Sequence, residues 1–332
     1  MKTSKAKLAF KAALVAVIVV FLGLAIYRNA SKLQDVEFTF RLWPFLLSSL
    51  LVLAQFFQQS TCWWVILRGV GGPVPHWEGQ AVWYASQAAK YVPGRVMLPL
   101  MRYTLLKRRG VALTGTMVSI YLELTLMTGS AVLVALLSSI GFPLDIWDML
   151  AVKIHWFGDG RTLRLAVLAL TPATFVAMHP RLLQWVVNRG LRTIKKDPVQ
   201  FDITYGRMLA LGAAYTVGWC LYGLSAWLLM VSLGIDDVSL AYKIVATFTM
   251  SWVIAFLSFI TPGGIGIREG VMTALLSLWG VPLAIAGVAA VLCRLQWTGN
   301  EMVGALLTVR HRPQVPKEEL AAEVAAIMGD KK

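Results

Sequence analysis

The sequence predicts an all-helical protein that crosses a membrane several times. Of its 332 residues, 58% are hydrophobic and only 14% are charged. Soluble domains carry about 45–50% apolar and about 25% charged residues, so the surface of a soluble chain of this length would need more charge than is present. The same composition excludes intrinsic disorder, because disordered chains are polar and poor in aromatic residues. A polytopic membrane protein is the class that remains.

Seven apolar stretches are candidates for spanning helices, since a bilayer core of about 30 Å needs roughly 20 helical residues. They lack the alternation of apolar and polar residues that marks a membrane β-barrel. The first stretch follows four lysines, and no small-x-small cleavage site comes after it. This favours a retained helix over a cleaved signal peptide. The fourth is short and would need local thinning of the bilayer. The stretches are 12–26, 42–67, 113–140, 163–178, 208–233, 240–260 and 282–307.

The charged residues between these stretches predict the orientation of the chain. Basic residues cluster at 107–109, between 181 and 207, and at 310–312, whereas acidic residues lie at 145–159 and 236–237. Because cytoplasmic loops are enriched in Lys and Arg, we expect both termini in the cytoplasm and the protein in the cell inner membrane. The formal charge of +14 then reflects loops beside anionic lipid headgroups rather than binding of nucleic acid.

Two segments, 81–106 and 261–280, interrupt the apolar pattern with Pro and Gly. Proline removes a helical hydrogen bond and glycine loosens the backbone. Irregular backbone at membrane depth persists only where it is buried in protein or lines a wet cavity. One such segment in each half is typical of a transporter-like site and suggests an internal duplication; the alternative is a pair of ordinary interfacial turns. The residues predicted to form the breaks or hinges are Pro93, Gly94, Pro262, Gly263, Gly264 and Gly266.

Several charged residues fall within or beside the apolar stretches. A charge at the bilayer centre costs roughly 2.5–3.5 kcal/mol on insertion scales, so each one needs a partner or a function. Arginine can hold a phosphate by two parallel hydrogen bonds, and helix N-termini after Pro-Gly add backbone N–H donors. The alternative is that Arg and Glu only pair between helices. The residues predicted to bind a lipid headgroup are Arg95, Arg102, Glu123, Arg268, Glu269 and Arg294.

The stretch TPGGIGIREG resembles the signature of the lysylphosphatidylglycerol synthase transmembrane-region family. In that family a Pro-Gly-Gly-x-Gly-x-Arg-Glu motif lies in the later half, and an earlier Pro-Gly-Arg/Lys motif precedes a basic-Gly pair. The family includes the flippase half of the multiple peptide resistance factors, so the resemblance implies movement of lipids. The matching residues are Pro93, Gly94, Arg95, Arg102, Arg108, Arg109, Gly110, Pro262, Gly263, Gly264, Gly266, Arg268, Glu269 and Gly270.

The chain also departs from the family pattern. Met97 and Leu98 stand where many members have Gly followed by Glu or Asp. Glu123 is present, but Leu124 and Met127 replace the Arg and Asp that often follow it. The sequence has no counterpart of the aminoacyl-transferase domain of bifunctional members. We therefore expect lipid translocation without synthesis of an aminoacylated lipid.

The sequence thus predicts a membrane domain over residues 1–312, a short cytoplasmic tail over 313–332, and a flippase for an anionic lipid headgroup that is not an enzyme. Two alternatives stay open: a membrane enzyme on a lipid-linked substrate, with Glu123 or Glu269 as general base, and a non-catalytic partner in envelope synthesis. Its expected partners are membrane lipids, with a homo-oligomer or a lipid-biosynthesis protein as further options. The scattered histidines have no metal-ligand spacing, so neither a metal nor a cofactor is expected.

Overall fold

The computed structural model describes residues 39–91, 97–143, 147–148, 151, 158–169, 172–173, 176, 178–193, 197–200, 202–258 and 264–314. The predicted first span (12–26) and most of the predicted tail (313–332) lie outside these residues. Ten α-helices are described within them. They are α1 (Leu42–Gly69), α2 (His76–Gln87), α3 (Met97–Leu106), α4 (Leu113–Ser139), α5 (Gly160–Ala169), α6 (Pro180–Thr193), α7 (Tyr205–Ser232), α8 (Ala241–Ser258), α9 (Ile267–Leu278) and α10 (Leu283–Thr308).

Four of these helical regions are long and apolar enough to cross a membrane: Leu42–Gly69, Leu113–Ser139, Tyr205–Ser232 and Val238–Ser258. Helix α10 has 26 residues and coincides with a fifth predicted stretch. The helical membrane class is therefore confirmed, together with the positions of these five helices. The predicted span 163–178 is described as a continuous helix only as far as Ala169, and α5 has 10 residues, about 15 Å of helix.

The long helices pack through small residues and polar contacts. Helix α7 packs along α1, where a Cβ at Gly218 would lie 2.5 Å from Oε1 of Gln58. The amide of Gln58 also donates to the Ala214 carbonyl (2.8 Å). Between α10 and α2, a Cβ at Gly304 would overlap the Tyr84 ring. Such close approaches are how helices associate in lipid, where there is little hydrophobic driving force between them.

The chain has the same order of helices in two parts. In the first, long helix α1 is followed by the interrupted pair α2 and α3 and then by long helix α4; in the second, α7 is followed by α8 and α9 and then by α10. In each part the second and third helices pack against each other, and the third packs against the fourth. The internal duplication expected from the two Pro-Gly segments stays a prediction, since α2 has 12 residues whereas α8 has 18 and belongs to a candidate membrane span.

The helices end on either side of both predicted breaks. Helix α2 ends at Gln87 and α3 begins at Met97, while α8 ends at Ser258 and α9 begins at Ile267. Gly264 and Gly266 have φ of 69° and 86°, a conformation that favours glycine over residues with a Cβ. Four other residues predicted to form the breaks lie outside the described residues: Pro93, Gly94, Pro262 and Gly263.

Helix α6 lies in the basic connection between the two parts. Leu183 on one of its faces is buried against Met178, Met208 and neighbouring side chains, whereas Trp185 is exposed. Arg181, Arg189 and Arg192 project from the same outer face as Trp185, because residues three, four, seven and eleven positions apart lie close together on a helix. An amphipathic helix is therefore present where the sequence predicts a basic cytoplasmic loop.

Candidate functional site

The two interrupted helix pairs enclose a cavity of about 240 Å³. This is room for more than ten water molecules, since one water needs about 10–15 Å³ of such space. Helices α1, α2, α3, α4, α8, α9 and α10 all contribute to its wall. Five residues predicted from the sequence line it: Arg102, Glu123, Gly264, Arg268 and Arg294. The wall also contains residues outside the predicted headgroup-binding set: the polar side chains Gln59, Gln87, Lys90 and Glu301 and the aromatic side chains Phe56, Trp83, Trp252, Phe256 and Trp297.

Arg102 and Glu123 form a buried ion pair on the first-half side of the cavity. The Arg102 side chain is 1% exposed, and its Nη1 donates to Oε2 of Glu123. Its Nε donates to the Ser86 hydroxyl (3.0 Å), and its guanidinium carbon lies 4.4 Å from the ring centroid of Trp63. The second carboxylate oxygen of Glu123 accepts from Nε1 of Trp83 (2.6 Å). The positive and negative charges of this pair compensate each other, which is what burial of two charges requires.

Arg268 is equally buried on the second-half side, but it has no such partner. Arg268 is 4% exposed. Its Nη2 donates to the Tyr222 hydroxyl and lies 3.5 Å from Sγ of Cys293. The guanidinium carbon lies 4.6 Å from the ring centroid of Trp297 and 5.6 Å from that of Tyr222. Among the described residues, no carboxylate oxygen lies within 4.0 Å of this guanidinium. A buried cation in this position is suited to an anion.

Glu269 follows Arg268 in sequence but does not line the cavity. Its Oε2 accepts from the backbone N–H of Gly266 (2.6 Å), which secures the start of α9. Its Oε1 lies 3.7 Å from Nη1 of Arg294. Successive residues on a helix point about 100° apart. Arg268 therefore lines the cavity, whereas the Glu269 carboxylate pairs with Arg294 beside it. The structure thus places Glu269 in a supporting position.

A third ion pair, between Lys90 and Glu301, was not predicted. Nζ of Lys90 donates to Oε1 of Glu301, whose side chain is 6% exposed. The same Nζ lies 5.8 Å from the ring centroid of Trp297. The sequence contains one indication of this arrangement. The spacing of four between Cys293, Trp297 and Glu301 places their side chains on one face of α10.

The charges around the cavity leave an excess of one cation among the described residues. Lys90, Arg102, Arg268 and Arg294 line it together with two carboxylates, Glu123 and Glu301. The third carboxylate, Glu269, pairs with Arg294. These residues carry four positive and three negative charges in total. Arg268 is the cation that has no carboxylate partner among the described residues. Arg95, also predicted to bind the headgroup, lies outside the described residues. Within the described part of the chain, no group of His, Cys, Asp and Glu side chains could hold a metal ion.

Long apolar helices around a cavity with charged side chains on a largely apolar wall define a polytopic helical membrane protein with a charged site. The family described as lysylphosphatidylglycerol synthase TM region matches residues 8–297. The chain therefore belongs to this family, as the resemblance of the TPGGIGIREG stretch predicted. A search of curated proteins found no match.

Proposed function

We propose that this protein moves a lipid with an anionic phosphate headgroup between the leaflets of the inner membrane. The headgroup enters the cavity between the two interrupted helix pairs, and its acyl chains stay in the bilayer. Membership of a lipid-related membrane family supports this function. The observation that carries the proposal is Arg268, a buried guanidinium on the cavity wall without a carboxylate partner among the described residues.

The bound phosphate replaces part of the water that the headgroup loses. Hydrogen bonds to charged groups contribute about 1.5–3 kcal/mol each, and a low-dielectric cavity strengthens them. The indole rings of Trp83, Trp252 and Trp297 give the wall an apolar surface with polar edges. Movement of the α2–α3 pair relative to the α8–α9 pair would open the cavity to one leaflet at a time, as in transporters built from repeated halves.

The proposal is tested by lipid movement in proteoliposomes. Purified protein is reconstituted with a fluorescent phosphatidylglycerol, and an impermeant quencher reports how fast the outer leaflet is replenished. We expect the wild type to accelerate exchange and Arg268→Gln to reduce that acceleration at least about tenfold, the equivalent of 1.4 kcal/mol. Arg268→Gln leaves no buried carboxylate unpaired, so its fold should persist. Arg189→Gln on the exposed face of α6 is the matched control. Exchange no faster than in protein-free vesicles would refute the proposal.

The alternative of a membrane enzyme requires a carboxylate that accepts a proton. Both oxygens of Glu123 already accept hydrogen bonds, from Arg102 and from Trp83, and Glu269 accepts from Gly266. Chemistry at either residue would first have to open these contacts. Incubation of the protein with a lipid extract, followed by mass spectrometry, distinguishes the two functions, because a translocase leaves its lipid unchanged.

The second alternative is a non-catalytic partner in envelope synthesis. Such a role depends on the outer surface of the protein and not on the cavity. Cells that carry Arg268→Gln together with Glu269→Gln would then behave as wild type. Under the proposed function, they should show the phenotype of a strain without the gene.

A further inference from the structure

The two buried arginines occupy corresponding places in the two parts of the chain. Arg102 lies on α3 and contacts α1 through Trp63 and α4 through Glu123. Arg268 lies on α9 and contacts α7 through Tyr222 and α10 through Cys293. In the order of helices, α3 corresponds to α9, α1 to α7, and α4 to α10. Each arginine therefore packs on an aromatic ring of the first helix of its part and meets a side chain of the fourth.

The fourth-helix side chain differs between the two parts. Glu123 lies ten residues after Leu113, the first residue of α4, and Cys293 lies ten residues after Leu283, the first residue of α10. The carboxylate of Glu123 neutralises Arg102. The thiol of Cys293 is a weak hydrogen-bonding group and provides no charge to Arg268. The residue at this position of the fourth helix thus distinguishes the two parts: Glu123 makes a neutral pair with Arg102, whereas Cys293 leaves Arg268 a buried cation.

Because Cys293 is not a carboxylate, several N–H groups of Arg268 have no hydrogen-bond acceptor among the described residues. A guanidinium has five N–H donors, and only Nη2 of Arg268 has hydrogen-bond partners among the described residues. Arg268 lines the cavity, as does Trp297 beneath its guanidinium. Its remaining donors are suited to two oxygens of one phosphate, the geometry in which arginine binds this group most strongly.

We propose that Cys293 keeps Arg268 available to a singly charged phosphate oxyanion, and that Arg268 rather than Arg102 is the phosphate-binding arginine of the cavity. This inference rests on the proposed function. Cys293 acts as a positioning residue: its thiol fills the place of a carboxylate, packs against Tyr222 (3.2 Å between the hydroxyl oxygen and Sγ) and leaves Arg268 without a carboxylate partner among the described residues. A carboxylate at position 293 would make the second half a copy of the closed Arg102–Glu123 pair.

The test uses Cys293→Asp with Cys293→Asn as its matched control, since the two variants differ in charge but hardly in size. Cys293→Ser and Arg268→Gln complete the set. The full-length protein in detergent is titrated with dioleoylphosphatidylglycerol, and binding is followed by native mass spectrometry and by the rise in unfolding temperature that a bound ligand produces. Dioleoylglycerol, which has the same acyl chains and no phosphate, is the lipid control.

We expect the wild type, Cys293→Ser and Cys293→Asn to bind phosphatidylglycerol with affinities within about threefold of one another, and Cys293→Asp to bind at least about tenfold more weakly, a difference of 1.4 kcal/mol. Without lipid, Cys293→Asp should unfold at or above the temperature of Cys293→Asn, because the new carboxylate pairs with Arg268. A clearly lower unfolding temperature, or equal weakening by Asn and Asp, would overturn the role of Cys293.

The remaining outcomes separate this inference from the proposed function. If Cys293→Asp binds as the wild type does and Arg268→Gln does not bind, the inference fails while the cavity stays a phosphate site. If the wild type does not distinguish phosphatidylglycerol from dioleoylglycerol, the proposed function fails as well. Glycerophosphoglycerol, the deacylated phosphodiester, tests a soluble source of the same singly charged group. A thermal shift from it that is as large as that from phosphatidylglycerol and is lost in Cys293→Asp would support the role of Cys293 and overturn the lipid as occupant.

Discussion

The guanidinium carbon of Arg268 lies 4.6 Å from the ring centroid of Trp297, and both residues line the cavity. Trp297 also meets Phe56 edge-on, with ring centroids 4.7 Å apart. The indole therefore orients the arginine and partly compensates its charge, because the face of an aromatic ring is electron-rich. Stacking of this kind contributes about 0.5–2 kcal/mol.

Replacement of this ring should weaken binding. We expect Trp297→Leu to reduce the affinity for phosphatidylglycerol about two- to thirtyfold, the range that corresponds to the loss of about 0.5–2 kcal/mol. Trp297→Phe keeps an aromatic face and should lose less. The titration by native mass spectrometry measures both. Trp185→Leu, which changes an exposed indole on α6, is the control, and an equal loss in that variant would show that the effect is not local to the cavity.

Glu123→Gln should destabilise the fold. The change leaves the Arg102 guanidinium, which is 1% exposed, without its carboxylate. Breaking a buried ion pair by removing one partner costs about 3–5 kcal/mol, and thermal unfolding in detergent will report this as a lower midpoint. Asp236→Asn is the matched control, because Asp236 pairs with Arg41 at the surface and exposed pairs contribute about 0–1 kcal/mol. Similar midpoints for the two variants would contradict the assignment of Arg102–Glu123 as a structural pair.

Lys90 and Glu301 should be coupled in function. Either Lys90→Glu or Glu301→Lys places two like charges together in a partly buried site, and we expect each variant to lose lipid exchange in proteoliposomes. The swapped double variant restores an opposite pair and should regain part of the exchange. A double-mutant cycle measures the coupling, for which contacting residues show about 0.5–3 kcal/mol. Additive losses in the double variant would show that Lys90 and Glu301 do not act as a pair in the activity.

Gly266→Ala should destabilise the start of α9. Gly266 has φ of 86°, and a Cβ in the left-handed region costs about 1–2 kcal/mol. We expect a lower unfolding midpoint and weaker lipid binding, because Arg268 is positioned by this turn. Gly287→Ala is the control, since Gly287 is within α10 and a Cβ there meets no atom within 4 Å. That variant should be neutral or slightly more stable, as alanine favours a helix.

Much of the architecture could be predicted from local sequence. Apolar stretches of sufficient length predicted α1, α4, α7, α8 and α10, since a membrane span is determined mainly by hydropathy and length. Glycine likewise predicted the irregular backbone before α9, where Gly264 and Gly266 have positive φ, because this residue acts on the backbone where it stands. The break predicted at Pro93 and Gly94 lies outside the described residues and stays a prediction. The structure describes only part of the span predicted over 163–178. Helix α5 covers Gly160–Ala169 and has an exposed Leu165.

The partners of the charged residues could not be predicted in the same way. The sequence marks Arg102, Glu123, Arg268, Glu269 and Arg294 as candidates for one site but does not say which of them neutralise each other. Glu269 is adjacent to Arg268 in sequence, yet it contacts Gly266 and Arg294. Glu123 lies 21 positions from Arg102 and is its partner. Lys90 and Glu301, 211 positions apart, form another pair.

The sequence alone therefore determines that this is a helical membrane protein of the lysylphosphatidylglycerol synthase transmembrane-region family with two interrupted segments and charged residues near them. Hydropathy, backbone breaks and motifs are properties of contiguous residues, so they can be read without the fold. Only the tertiary structure decides that Arg102 is neutralised by a carboxylate and that Arg268 has no carboxylate partner among the described residues. That outcome depends on which faces of α4 and α10 meet the two arginines, and helix packing across the whole chain places a carboxylate at one and the Cys293 thiol at the other.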